Sequence, residues 1–135
     1  MQSGHTCVGS INRYFLIGAI NGFTVVLLGA FGAHVLRSHV AESFLSAWQT
    51  GVLYQAIHGL VLLTLGLIPA DRFDRQLNYA GRFFLAGILL FSGSLYLMAL
   101  LQFRFLGIVT PFGGVALLVG WALLIKYAWS ESRSI

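Results

Sequence analysis

The stretch YFLIGAINGFTVVLLGAFGAHVL, residues 14–36, contains no acid, lysine or arginine. Three similar stretches follow, at about 48–68, 83–101 and 111–127, the last interrupted only near its end by Lys126. Runs of about 20 apolar residues match the hydrocarbon thickness of a bilayer when wound as helices, and a water-soluble fold would leave most of this surface uncovered. The chain is 58% hydrophobic and 9% charged, far below the charge content of about 25% typical of soluble proteins. The expected architecture is an all-α membrane protein, with four transmembrane helices in a bundle forming a single domain over residues 1–135.

The charges that remain set an orientation. Four crossings place the N-terminus, the linker PADRFDRQLNYAGR and the C-terminus on one side. That side then carries Arg13, Arg72, Arg75, Arg82, Lys126 and Arg133, against Arg37 and Arg104 on the other. The positive-inside rule makes both termini cytoplasmic. Because the basic residues are scattered singly beside apolar runs, they fit membrane orientation, and no nucleic-acid partner is expected. The leading MQSGHTCVGSINR lacks a cleavage pattern before a run too long for a signal core, so the first span is expected to be retained. Cys7 is the single cysteine; it allows neither an internal disulfide nor a CxxC pair, and its position does not suit a lipoprotein acceptor. Trp48, Trp121, Tyr127 and Trp129 fall near predicted span ends, where interfacial aromatics collect. Thr110-Pro111 reads as the start of the fourth helix, with threonine capping and proline in the first turn.

Small residues mark where helices can approach. Gly18 with Gly22, and Gly29 with Ala33, are small-xxx-small pairs, and Gly32 lies beside them. Such spacing serves packing within the bundle or a homodimer seam. The candidate polar site consists of His34, Gln49, Tyr54, Gln55, His58, Ser92, Ser94 and Tyr96, with Asn21 also inside a span. Tyr54 and His58 share one helix face, with Gly51 in register, and that face should turn toward another helix. His58 is then either a neutral interhelical tie or a ligand or proton site.

Several chemistries lack the residues they need. A haem held by His34 and His58 requires equal depth, whereas His58 is expected roughly 15 Å deeper. No second ligand of a suitable type accompanies either histidine, so no metal and no cofactor are expected. Glu42, Asp71, Asp74 and Glu131 fall in loops or tails, which argues against carboxylate-coupled transport. Ser38 and His39 adjoin without an orienting acid, so no hydrolase constellation forms and no enzyme is expected. His34, Arg37 and His39 form a small basic cluster at a helix end, suited to capping carbonyls or holding a lipid phosphate.

The segments GAFGAH, AWQTGVLYQAIHGL, LFSGSLYLMAL and TPFGG together resemble the YgdD-like family of small inner-membrane proteins, domain of unknown function 423. The resemblance spans about Tyr14 to Lys126 and carries over Gly29, Gly32, His34, Tyr54, Gln55, His58, Ser92, Ser94, Tyr96, Thr110 and Pro111. It implies a four-span protein of the bacterial inner membrane with no established enzymatic activity. The function expected is a structural or accessory component of a larger membrane complex, in contact with membrane lipids. The alternative is a binder or carrier of a lipid, quinone or small solute, using the polar site around His58.

Overall fold

The computed structural model describes residues 11–134; Cys7 lies outside them. The described residues form four long helices, α1 (Arg13–His34), α2 (Glu42–Gly66), α3 (Arg75–Leu101) and α4 (Thr110–Ser132). Short 3-10 turns at Leu36–Ser38 and Arg104–Ile108 lie in the α1–α2 and α3–α4 connections, and no strand occurs among the described residues.

Local chemistry sets the helix ends. The Asn12 side chain accepts from the Tyr14 N–H at 2.9 Å, and Asp74 accepts from the Leu77 N–H at 2.8 Å, so each satisfies a free donor of a first turn. Asp74 therefore starts α3 within the charged linker, well before residue 83 where the apolar run begins. Likewise α2 begins at Glu42, six residues ahead of the expected boundary at 48, and α4 extends to Ser132. α3 closes at Gln102 in a left-handed conformation, φ 51°. The start of α4 differs from the expected cap: Thr110 bonds the Ser94 hydroxyl at 2.6 Å, and no side chain caps the helix.

The helices pack in chain order, α1 on α2, α2 on α3 and α3 on α4. α2 and α3 are central and α1 and α4 flank them, each flank exposing large apolar side chains such as Phe23, Val26, Leu118 and Ile125. Three segments, Arg13–Ser38, Arg75–Leu101 and Arg104–Ser132, are long and apolar enough to cross a membrane. α2 falls outside that set. Its length is sufficient, but Ser43, Ser46, Gln49, Thr50, Gln55 and His58 lower its hydropathy.

Two apolar clusters form the core. One joins Tyr14, Leu62, Leu65, Leu77, Phe84, Ile88 and Leu117; the other joins Leu36, Phe44, Trp48 and Ala99. Trp48 is 2% exposed, its indole donating to the Leu28 carbonyl at 2.8 Å, which corrects its expected interfacial position. The correction follows from the earlier start of α2, which places Trp48 nearly two turns inside the helix.

Glycines allow the close approach. A Cβ at Gly18 would stand 2.6 Å from the Leu63 backbone nitrogen, one at Gly66 would strike the Phe15 backbone, and Gly59 seats the Asn21 amide. Phe15, Gly18 and Asn21 thus mesh with Gly66, Leu63 and Gly59 along one antiparallel seam. Gly32 receives the Trp48 indole, and across α3 and α4 Gly113 faces the Phe91 backbone. Two of these positions do not pack within the bundle: Gly22 has nothing within 4 Å of its Cβ position, and Ala33 is exposed. Gly29 makes only an ordinary contact, 3.7 Å from Val52 Cγ1. Gly18 is buried against α2, whereas Gly22 lies at the open edge of the same α1–α2 cleft.

Candidate functional site

Between the two apolar clusters lies a polar layer built from three helices. Gln55 of α2 is its hub. Its Nε2 donates to Thr24 Oγ1 at 2.8 Å, and its Oε1 accepts from the Tyr96 hydroxyl at 2.5 Å. Thr24 donates in turn to the Asn21 carbonyl at 2.9 Å, while Asn21 Nδ2 donates to the Gln55 carbonyl at 2.9 Å. These bonds join α1, α2 and α3 at one depth. Beside them Ser92 donates to the Gly51 carbonyl at 2.7 Å, a bond buried between α3 and α2. The missing side chain of Gly51 gives the Tyr96 ring its place against α2.

His58 bonds elsewhere. Its Nδ1 lies 2.7 Å from the Tyr54 carbonyl, which can only accept, so Nδ1 carries the proton. Its Nε2 accepts from the Trp121 indole N–H of α4 at 3.1 Å. Both ring nitrogens are thus engaged in the neutral tautomer, and protonating Nε2 would set two N–H groups against each other. Phe84 and Trp121 pack around the imidazole, with centroids 5.7 and 6.0 Å from it. Trp121 sits in the middle of α4, not at an end as the sequence led one to expect, because the helix continues to Ser132.

The eight candidate residues do not form one site. Gln55, Ser92 and Tyr96 belong to the polar layer, and His58 lies one turn along with Tyr54 beside it. Ser94 faces α4 and bonds Thr110. His34, at the end of α1, and Gln49, about two turns into α2, are exposed and take no part in the layer. The capping role expected of the His34 cluster falls to His39 and Ser38: His39 Nδ1 lies 2.7 Å from the Val35 carbonyl, and the Ser38 hydroxyl donates to the same oxygen at 3.2 Å. Thr24 and Trp121 were missed as partners, since neither carries a signal in sequence that names its acceptor.

Chemically, the layer is closed. No buried side-chain nitrogen or oxygen among the described residues lacks a hydrogen-bond partner. Among the same residues no group of three His, Cys, Asp or Glu side chains is arranged to hold a metal ion. The arrangement ties helices in register without exposing a reactive group.

Long apolar helices and a polar layer bonded within the protein define a multi-pass α-helical protein of the inner membrane. A family model described as "Protein of unknown function (DUF423)" matches residues 28–114. The chain belongs to this family. It is similar to the UPF0382 inner membrane protein YgdD of Escherichia coli (strain K12), 44% identical over 115 residues, 84% of this chain and 88% of the relative. Similarity extends to a UPF0382 membrane protein of Staphylococcus aureus (strain bovine RF122), 43% over 112 residues, covering 83% and 91% of the two chains. It also includes YwdK of Bacillus subtilis (strain 168), 40% over 117 residues, covering 85% and 94%. No solved structure matches the chain.

Proposed function

We propose that the protein crosses the inner membrane four times with both termini in the cytoplasm, and acts as a non-enzymatic structural or accessory component of a larger membrane complex. The Gln55 side chain of α2 is bonded to α1 and α3 and that of His58 to α4, which supports α2 as a spanning helix despite its lower hydropathy. The excess of arginine and lysine on the side of the termini supports the orientation.

The observation that carries the accessory reading is on the outer face of α1. Ala19, Gly22, Val26, Ala30 and Ala33 are all exposed at helical spacing, and the Cβ position of Gly22 is open. Small residues on a lipid-facing stripe let a second backbone approach closely, which is the main source of helix association in membranes. Tagged protein purified in mild detergent is expected to retain a stoichiometric membrane partner. Gly22→Leu is expected to release that partner while changing the thermal midpoint of the isolated protein little, because a Cβ at Gly22 has nothing within 4 Å. A wild-type protein that purifies alone, or a partner retained by Gly22→Leu, contradicts the accessory role.

A further inference from the structure

The turn at Leu36–Ser38 brings the end of α1 beside the start of α2. Leu36 is buried with Phe44 and Trp48 of α2, and this apolar contact holds the two helix ends together. Beside it lies a cleft of about 640 Å³, within the range of about 300–1,000 Å³ usual for small-ligand sites. Ala33 and Arg37, four residues apart, supply one wall. Glu42, Ser46 and Gln49 recur at helical spacing along one face of α2 and supply the other. Half-buried Val40 and Leu45 add apolar surface to it.

The fold makes no use of the four polar side chains on this cleft. None of Arg37, Glu42, Ser46 and Gln49 makes a side-chain hydrogen bond to a described residue, and Arg37 and Glu42 form no ion pair with each other. The backbone acceptors nearby are served by other groups: His39 and Ser38 take the Val35 carbonyl, and Thr50 takes that of Ser46. The cleft therefore carries one positive and one negative group, both free. A simple anion meets the Glu42 carboxylate there, a simple cation meets the Arg37 guanidinium, and a neutral solute leaves both charges unmatched. A zwitterion complements both. Arg37 lies in the last turn of Arg13–Ser38, a segment long and apolar enough to cross a membrane. The cleft thus opens where that segment leaves the hydrocarbon, at the level of the phospholipid head groups. Guanidinium is suited to phosphate through its paired N–H donors. A primary ammonium offers three donors, which a carboxylate, a hydroxyl and an amide oxygen can accept. We propose that the cleft binds the head group of a phospholipid carrying a phosphate and a primary ammonium, with Arg37 on the phosphate and Glu42, Ser46 and Gln49 around the ammonium. Neither Gly22 nor a protein partner takes part in this site.

The test uses the full-length protein in dodecylmaltoside, titrated with dioleoyl phosphatidylethanolamine, phosphatidylcholine or phosphatidylglycerol. Native mass spectrometry counts the bound lipid, and a thermal shift measured in parallel reports binding independently. One phosphatidylethanolamine per chain is expected to bind saturably and about tenfold tighter than either of the others, since choline has no N–H to donate and glycerol brings no positive charge. Arg37→Gln is expected to raise its Kd about tenfold, the equivalent of one charge-assisted hydrogen bond. Glu42→Gln is expected to erase the preference over phosphatidylglycerol, because the carboxylate that attracts ammonium and repels a bare anion is gone. Both residues are exposed, so these changes leave the core intact, and the thermal midpoint without lipid checks this. Arg104→Gln removes a charge that lies outside the cleft, against Ser43 and Phe44, and is expected to leave binding unchanged. Equal binding of the three lipids by the wild type overturns the proposal, as does an unchanged Kd in Arg37→Gln or a preference that survives Glu42→Gln. Binding of soluble O-phosphoethanolamine as tight as that of the lipid would assign the cleft to a water-soluble zwitterion and contradict the lipid assignment.

Discussion

Gly66→Leu is expected to lower stability by about 3 kcal/mol, at the upper end of what overpacking costs, and to separate α1 from α2. A side chain at Gly66 strikes the Phe15 backbone, which cannot rotate aside as a side chain does. The helices must part, and two further bonds on the same seam loosen: Asn12 Nδ2 to the Leu65 carbonyl and Asn21 Nδ2 to the Gln55 carbonyl, each 2.9 Å. Gly18→Leu should behave alike, since its Cβ would sit 2.6 Å from the Leu63 nitrogen. Gly22→Leu, only one turn along the same helix, should change stability by less than about 0.5 kcal/mol, as surface substitutions generally do. Reversible unfolding in mixed micelles, followed by circular dichroism, gives the comparison directly. Equal effects at Gly66 and Gly22 would mean that the α1–α2 seam is placed wrongly.

The second large effect is expected at Gln55. Hydrogen bonds between membrane helices average about 0.6 kcal/mol, reaching about 2 in favourable cases. Gln55→Leu removes both side-chain bonds of the hub and leaves the Tyr96 hydroxyl without its acceptor. A loss of about 2 kcal/mol follows, more than the two bonds alone supply, because the abandoned donor adds its own penalty. Pairing Gln55→Leu with Tyr96→Phe removes donor and acceptor together. The double variant should therefore be about 1 kcal/mol more stable than the sum of the two single changes predicts. Strict additivity in that cycle would show that the Tyr96–Gln55 bond contributes nothing.

Both predictions depend on contacts that were only partly legible in the sequence. Charge-free runs located the four helices, since helices in lipid must be apolar along most of their length. The helices run up to about two turns beyond these runs, because charged and polar residues are carried on their terminal turns. In fact Arg75, Gln76 and Asn78 lie on the first turn of α3, where a helix leaves the lipid and tolerates them. Trp48 and Trp121 were misplaced for the same reason: an interfacial assignment depends on knowing where the helix stops. Helical spacing correctly put Tyr54 and His58 side by side, and their rings lie 6.0 Å apart. What spacing cannot carry is rotation about the helix axis and depth relative to other helices. Those two quantities decide that His58 meets Trp121, that Gln55 meets Thr24 and Tyr96, and that His34 meets neither.

The central claim is that α2 crosses the membrane with Gln55 and His58 bonded to neighbouring helices, although its composition alone is less apolar than that of the other three. Single-cysteine labelling tests it most directly. In a Cys7→Ser background, cysteines placed at Ser38, Ala70, Phe103 and Ser130 are exposed to a membrane-impermeant maleimide, first in spheroplasts and then in inverted vesicles. The account predicts labelling of positions 38 and 103 only from the periplasmic side, and of positions 70 and 130 only from the cytoplasmic side. Labelling of positions 38 and 70 from the same side would mean that α2 does not cross, and the four-span account would be wrong.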